Sequence, residues 1–237
     1  MTSSTRTRKP AAAKAADKKI APAKSARTAV PGKGGESRTA QRGDSVLDPI
    51  FGAIRKHAGK GAQDEASAFA SAFYRRMTAD ELPLHSPDGW AALAHDLLEF
   101  ARKRKPGSAL VRLFNPGAKT HGWESPHTVL QIVNDDMPFL VDSVTMALAE
   151  EGIGVHVLGH PVVQVSRDKA GRIVSVGEGE TESVMHLELD RQTAEGMARI
   201  EARIRQVLAD VRAIVHDWMA MREKMQQVAA DLATRRL

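Results

Sequence analysis

One apolar stripe near the C-terminus sets what this chain can fold into. Ile200, Ile204, Val207, Val211, Ile214, Trp218, Met221, Met225, Val228 and Leu232 follow alternating steps of four and three residues. That is the a/d spacing of a heptad, so these side chains fall on one face of one helix. No proline interrupts the run, and charged residues fill the positions between. The spacing predicts a helix from about Thr193 onward. A stripe this long needs cover along its whole face. It can form a coiled-coil or helix-hairpin assembly surface, with Ile204, Val207, Val211, Ile214, Trp218, Met221 and Met225 as the seam. Alternatively its first half covers the chain's own sheet and its second half docks on the rest of the same polypeptide. The pattern alone leaves both open.

Charge is spread unevenly over the 237 residues. Residues 1–43 hold eleven basic side chains against two acidic ones, a net of +9; the whole chain carries +5, so the remainder carries −4. A mildly acidic body argues against a nucleic-acid-binding face on the folded part. Beyond Met1, the tail's large apolar residues are Ile20 and Val30. Such a composition cannot bury enough surface to offset its ordering entropy, which predicts disorder over 1–43. The tail reads as a solvated extension, with a nucleic-acid or acidic-partner arm as the alternative. The chain contains no cysteine, which excludes disulfides and thiolate chemistry and fits a reducing compartment. No apolar run approaches the roughly 18 residues of a membrane helix, and no signal peptide opens the sequence.

Residues 44–107 read as helices. Ser45 or Asp48 can cap the first, Asp64 to Met77 has helical spacing of Phe69, Ala70 and Phe73, and Asp88 can cap a third. The basic run Arg102-Lys103-Arg104-Lys105 suits a helix C-terminus facing water, and Pro106-Gly107 ends it. Strands are expected at 109–114, 128–133, 155–166 and 183–190. A hairpin turn falls at Arg167–Arg172, and the Gly- and Glu-rich stretch 172–182 need not be regular. Asp135-Asp136-Met137-Pro138 reads as the start of a helix reaching about Glu151, with Asp136 as cap.

Few residues invite chemistry. No glycine-rich dinucleotide loop, Walker loop, nucleophile elbow or His-Glu-x-x-His motif occurs. His156 and His160 are four apart on an expected strand and so share a face, to which His186 and Glu188 can add. Such a group could hold zinc; the plainer reading is a polar sheet face, solvated or packed on a neighbouring domain, and no metal site is assigned. Asp135, Asp136 and Asp142, with Ser143, surround a strand-to-helix turn. Capping and the helix dipole account for the carboxylates, yet the end of a strand and the start of a helix is also a normal ligand position.

Four blocks are distinctive: His121-Gly122-Trp123-Glu124-Ser125-Pro126-His127-Thr128, the run Asn134 to Val144, His156 to Val162, and Glu182 to Asp190. In that order they resemble the N-terminal, ACT-like region of the large bacterial NAD-specific glutamate dehydrogenases, over about Phe73 to Trp218. The resemblance implies a non-catalytic segment, lacking NAD-binding residues, of an enzyme that converts glutamate and NAD to 2-oxoglutarate and ammonia. It also implies a cytoplasmic setting, the remainder of the dehydrogenase as partner and a homo-oligomer. Ordinary ACT domains carry glycine where Phe139 stands, so the turn at Asp135–Ser143 points to assembly or allosteric coupling rather than small-ligand capture. The usual ACT order is β-α-β-β-α-β, and the strand at 109–114 can take the place of the last strand at the sheet edge.

The expected fold class is therefore α+β. An ACT/ferredoxin-like antiparallel sheet with helices on one face is preceded by a small helical region and followed by the long heptad-patterned helix. The expected divisions are 1–43, 44–107, 108–210 and 211–237. A stand-alone scaffold with a nucleic-acid-binding tail and a dimerising helix is the competing function.

Overall fold

The computed structural model describes residues 36–58, 63–74 and 84–234. Three helices come first: α1 (Glu36–His57), α2 (Gln63–Tyr74) and α3 (Pro87–Ala101). Helix α1 begins inside the stretch expected to be disordered; the rest of that tail lies outside the described residues. Helix α3 is capped by Ser86 and not, as expected, by Asp88: the Ser86 hydroxyl accepts the Gly89 N–H at 3.1 Å, while Pro87 and Asp88 lie in the first turn.

The sheet follows: β1 (Leu110–Phe114), a short α4 (Ala118–His121), β2 (Thr128–Asp135), α5 (Leu140–Glu150), β3 (Val155–Gly159), β4 (Val162–Arg167), β5 (Ile173–Val176) and β6 (Glu180–Leu189). All pairings are antiparallel, in the order β1-β2-β6-β4-β5, with β3 also on β6. Strands β3 and β4 pair with successive halves of β6, so they are one long strand broken at His160-Pro161. Proline cannot donate to the ladder, but the Pro161 carbonyl still accepts the Val184 N–H at 3.0 Å. Strand β1 lies at the edge beside β2, the place expected for it.

Most of the stretch 172–182 is regular, because β5 folds back on β4 and β6 begins at Glu180, with only 177–179 as the bend between them. The hairpin turn closes through Asp168, whose Oδ1 accepts the N–H groups of Ala170 and Arg172 at 2.8 and 2.9 Å. Gly171, at φ 80°, lies against the chain leaving α3; a Cβ there would meet the Arg104 carbonyl oxygen at 2.4 Å. That close approach lets Arg104 N–H donate to the Gly171 carbonyl at 2.9 Å and Ile173 N–H to the Arg102 carbonyl at 3.0 Å.

Helix α5 starts later than predicted, at Leu140, and Asp136 does not cap it. Phe139 stands at the cap with φ 70° and no side-chain cap bond. A left-handed phenylalanine is strained by about 1–2 kcal/mol, and this one is exposed. Phe139→Gly is expected to raise the unfolding free energy by about 0.5–1 kcal/mol, the relief being partly offset by glycine's unfolded-state entropy. Urea titration of the two proteins checks it.

Both sheet faces are covered. Helix α5 and the first part of α6 (Ala194–Thr234) pack on one, over Leu130, Ile132, Met185, Leu187 and Leu189. The preceding helical region packs on the other, where Phe69, Phe73, Trp90, Leu93 and Leu97 meet Val129, Val133, Val163 and Val184. Strand β6 is accordingly buried on both faces over its last eight residues.

Candidate functional site

The turn predicted as a ligand or coupling site does not gather its residues. Asp135, at the end of β2, faces arginine. Its Oδ1 accepts from Arg104 at 2.8 Å, and its Oδ2 accepts from Arg212 of α6 at 2.6 Å and the Gly107 N–H at 3.2 Å. Burial pushes its carboxyl up, but Arg212 and Arg104 overcome this and hold it below the ordinary value. Asp136 and Asp142 are exposed. Ser143 is half-buried and lines a shallow groove between α5 and α6 with Met146, Glu150, Arg203 and Ile214.

The seam divides. Ile204, Val207 and Val211 are buried against the chain's own sheet and α5. Ile214, Trp218, Met221 and Met225 are exposed, as are Val228 and Leu232. The heptad face thus serves the fold first and stands uncovered afterwards.

Two buried carboxylates on β6 are the main addition to the sequence reading. Glu182 lies between two arginines. Arg167 donates to it bidentately, Nε to Oε1 at 2.6 Å and NH2 to Oε2 at 2.7 Å, and Arg104 NH2 donates to Oε1 at 2.6 Å. Arg104 also reaches Asp135, so the network runs from Arg167 through Glu182, Arg104 and Asp135 to Arg212. It ties the β4–β5 hairpin and the end of α3 to α6. The expectation that Arg102–Lys105 faces water is therefore corrected: Arg104 is buried, and Arg102 pairs with Glu65 and Glu99, both at 2.7 Å.

Glu188 is the second carboxylate. It accepts from His85 Nε2 at 2.8 Å and the Ser125 hydroxyl at 2.5 Å. His186 Nε2 lies 3.7 Å away, beyond hydrogen-bond range, and has no other partner. Burial raises the Glu188 carboxyl, but the polar groups of His186, His85 and Ser125 outweigh it and hold the group well below the usual carboxylate range. Burial in turn holds the His186 imidazole below its ordinary value. His85 and Ser125 also border an open cleft of about 790 Å³ with Trp123, Asp88 and Arg191. Their polar atoms turn to Glu188, so this set clamps the helical layer to the sheet.

The histidines do not share a face. An extra residue at His156 shifts the β3 register, and Pro161 breaks the strand beyond His160. His156 is exposed, stacks on His127 at 4.1 Å and bonds Asp190 at 2.7 Å, whereas His160 bonds Ser183 at 2.7 Å. Among the described residues, no group of three or more His, Asp or Glu is placed to hold a metal.

These ionisations set a pH dependence. Asp135, Glu182 and Glu188 titrate below their unfolded values, so their stabilisation is complete above about pH 4.5 and is lost as pH falls through the folded values. His186 is also depressed, so its penalty on protonation begins as pH falls below about 6.5. Unfolding free energy is expected to be flat above about pH 7, to slope downward below it and to steepen below about pH 4.5. Urea midpoints measured from pH 3 to 8 test this; a maximum near pH 5 would contradict it.

An antiparallel sheet in this order, with α5 and α6 on one face, defines an ACT-like α+β module. The chain belongs to the glutamate dehydrogenase ACT1 domain family, which matches residues 69–204. It is 34% identical over 196 residues to an NAD-specific glutamate dehydrogenase of Pseudomonas aeruginosa, covering 78% of this chain and 12% of that protein. It is 30% identical over 199 residues to an NAD-specific glutamate dehydrogenase of Halomonas elongata, covering 81% and 12%. The chain thus spans about 12% of the length of these curated relatives. The family match includes Asp135, Glu182 and Glu188 but stops before the exposed half of α6.

Proposed function

We propose that this chain is a regulatory and assembly segment, non-catalytic by itself, of a cytoplasmic NAD-dependent glutamate dehydrogenase. The intact enzyme would convert glutamate and NAD to 2-oxoglutarate and ammonia, with NAD held outside this segment. The observation that carries the reading is the pairing of an ACT1 module with an apolar strip that leaves it uncovered along α6. The module holds its buried carboxylates Glu182 and Glu188 in structural pairs, and the strip offers a surface for the remainder of the dehydrogenase. Homo-oligomerisation of the enzyme belongs to the same reading. No helix among the described residues is long and apolar enough to cross a membrane.

Two measurements test it. The purified chain is expected to give no glutamate-dependent reduction of NAD, and measurable turnover would refute its non-catalytic role. Trp218→Glu placed in the full-length dehydrogenase that carries this segment is expected to alter oligomeric state or the dependence of rate on glutamate. Unchanged assembly and kinetics would remove the assembly role.

A further inference from the structure

The open cleft of about 790 Å³ lies between the start of α3 and the loop joining α4 to β2. Its wall includes His85, Asp88, Trp123, Glu124 and Arg191. The clamp on β6 uses one ring nitrogen of His85. Glu188 is an ionised carboxylate and can only accept, so the hydrogen of the 2.8 Å bond sits on His85 Nε2. In the neutral ring Nδ1 then carries a lone pair. The two nitrogens lie on opposite sides of an imidazole, so a ring whose Nε2 reaches inward to β6 turns Nδ1 toward the cleft. Nδ1 has no hydrogen-bond partner among the described residues. The side chain is only 8% exposed and is wedged edge-to-face against Trp90 at 4.6 Å and Trp123 at 5.6 Å, so it cannot swing away. It presents a fixed, basic acceptor.

The other groups of the wall decide what that acceptor can meet. The donors at the start of α3 are largely spent. The Ser86 hydroxyl takes the Gly89 N–H, the Ser86 carbonyl takes the Trp90 N–H, and Pro87 has none. Arg191 turns NH1 to the carbonyls of Ser125 and Pro126, at 3.4 and 3.2 Å. The Trp123 indole N–H is buried within the wall. The acceptors are not spent. Asp88 is exposed, with His57 Nε2 3.6 Å away, beyond hydrogen-bond range, and Glu124 is exposed as well. With Glu188 behind His85, three carboxylates stand against the single guanidinium of Arg191. Leu84, Pro116 and Pro126 add apolar surface.

We propose that this cleft binds a small primary alkylammonium, which donates an N–H to His85 Nδ1 and lays its hydrocarbon stem on the apolar wall. Its charge is favoured by the carboxylates of Asp88, Glu124 and Glu188. The volume lies in the range of small-molecule sites. A ligand carrying a carboxylate is disfavoured, because it meets acceptors where it needs donors.

The test titrates the full chain at pH 8 and fixed ionic strength with butylammonium, butanoate and butanol, read from the methyl shifts of Leu84 and Ala118. Butylammonium is expected to saturate with a dissociation constant on the order of 1–10 mM, and the other two to bind at least about tenfold more weakly. His85→Gln keeps an amide N–H to donate to Glu188 but places no acceptor where Nδ1 stands. It is expected to weaken butylammonium on the order of tenfold while the urea midpoint stays near that of the wild type. Asp88→Asn/Glu124→Gln, on exposed side chains, should weaken it several-fold with folding unchanged. The proposal is overturned by equal binding of butanoate, by no saturable shift with butylammonium, or by wild-type affinity in either variant. The cleft lies apart from the α6 strip, so none of these results bears on the assembly role.

Discussion

Glu182→Ala is expected to lower the unfolding free energy by about 3–5 kcal/mol, read as a fall in the urea midpoint with unchanged slope. The Glu182, Arg104 and Arg167 side chains are only 3%, 3% and 6% exposed. Removing the carboxylate leaves two guanidinium groups in the interior with one shared counter-charge gone. Arg104 keeps Asp135, and Arg167 keeps the carbonyls of Ala101 and Gly171. Carbonyls satisfy its donors but do not neutralise its charge. The comparison is Glu150→Ala, which breaks a 2.8 Å pair with Arg203 on the helix surface. With side chains 41% and 57% exposed, that pair is expected to matter by less than about 1 kcal/mol. The Glu182 variant should also lose part of the acid-dependent slope, because one depressed carboxylate no longer titrates. If the two substitutions cost the same, Glu182 is not acting as a buried counter-ion.

How far the sequence foretells this site depends on where the partners come from. Strand β2, the Arg167–Arg172 hairpin turn and the start of α6 near Thr193 are set by local patterns, and all three are legible. The Phe139 turn is legible as a departure, since the position calls for glycine. The charge network is not, because Arg104 and Glu182 stand 78 residues apart. A basic run after a helix looks the same whether water or a carboxylate meets it. One signal was nevertheless available for β6. The helices before residue 107 present apolar faces that must be covered, and the sheet follows them directly in the chain. A sheet face under helices buries its polar residues too, which places His186 and Glu188 in the core despite their alternation with Met185 and Leu187. The second half of the heptad stripe is the converse case, since its pattern is legible and nothing among the described residues covers it.

Trp90→Ala tests whether the helical layer and the sheet are one cooperative body. Trp90 is fully buried on α3; its ring meets Tyr74 at 5.5 Å and His85 at 4.6 Å, and the Tyr74 hydroxyl donates to its carbonyl at 2.5 Å. Truncation removes one of the two tryptophan side chains of that core and leaves a cavity, with an expected loss of about 3–5 kcal/mol. His85 is also the donor that holds Glu188, so loosening α3 weakens the clamp on β6 at the same time. If the layer and the sheet are coupled in this way, far-ultraviolet ellipticity and tryptophan fluorescence should report one transition in both proteins, shifted together to lower denaturant. The sheet cannot simply outlast its helical cover, because Gln131, His186 and Glu188 would then lie open on one face while Val129, Val133 and Val184 lost their partners. A biphasic curve for Trp90→Ala, with the α5–α6 side retaining wild-type stability, would show instead that α1–α3 form a separable layer. The β6 carboxylates would then be surface groups that this layer happens to cover.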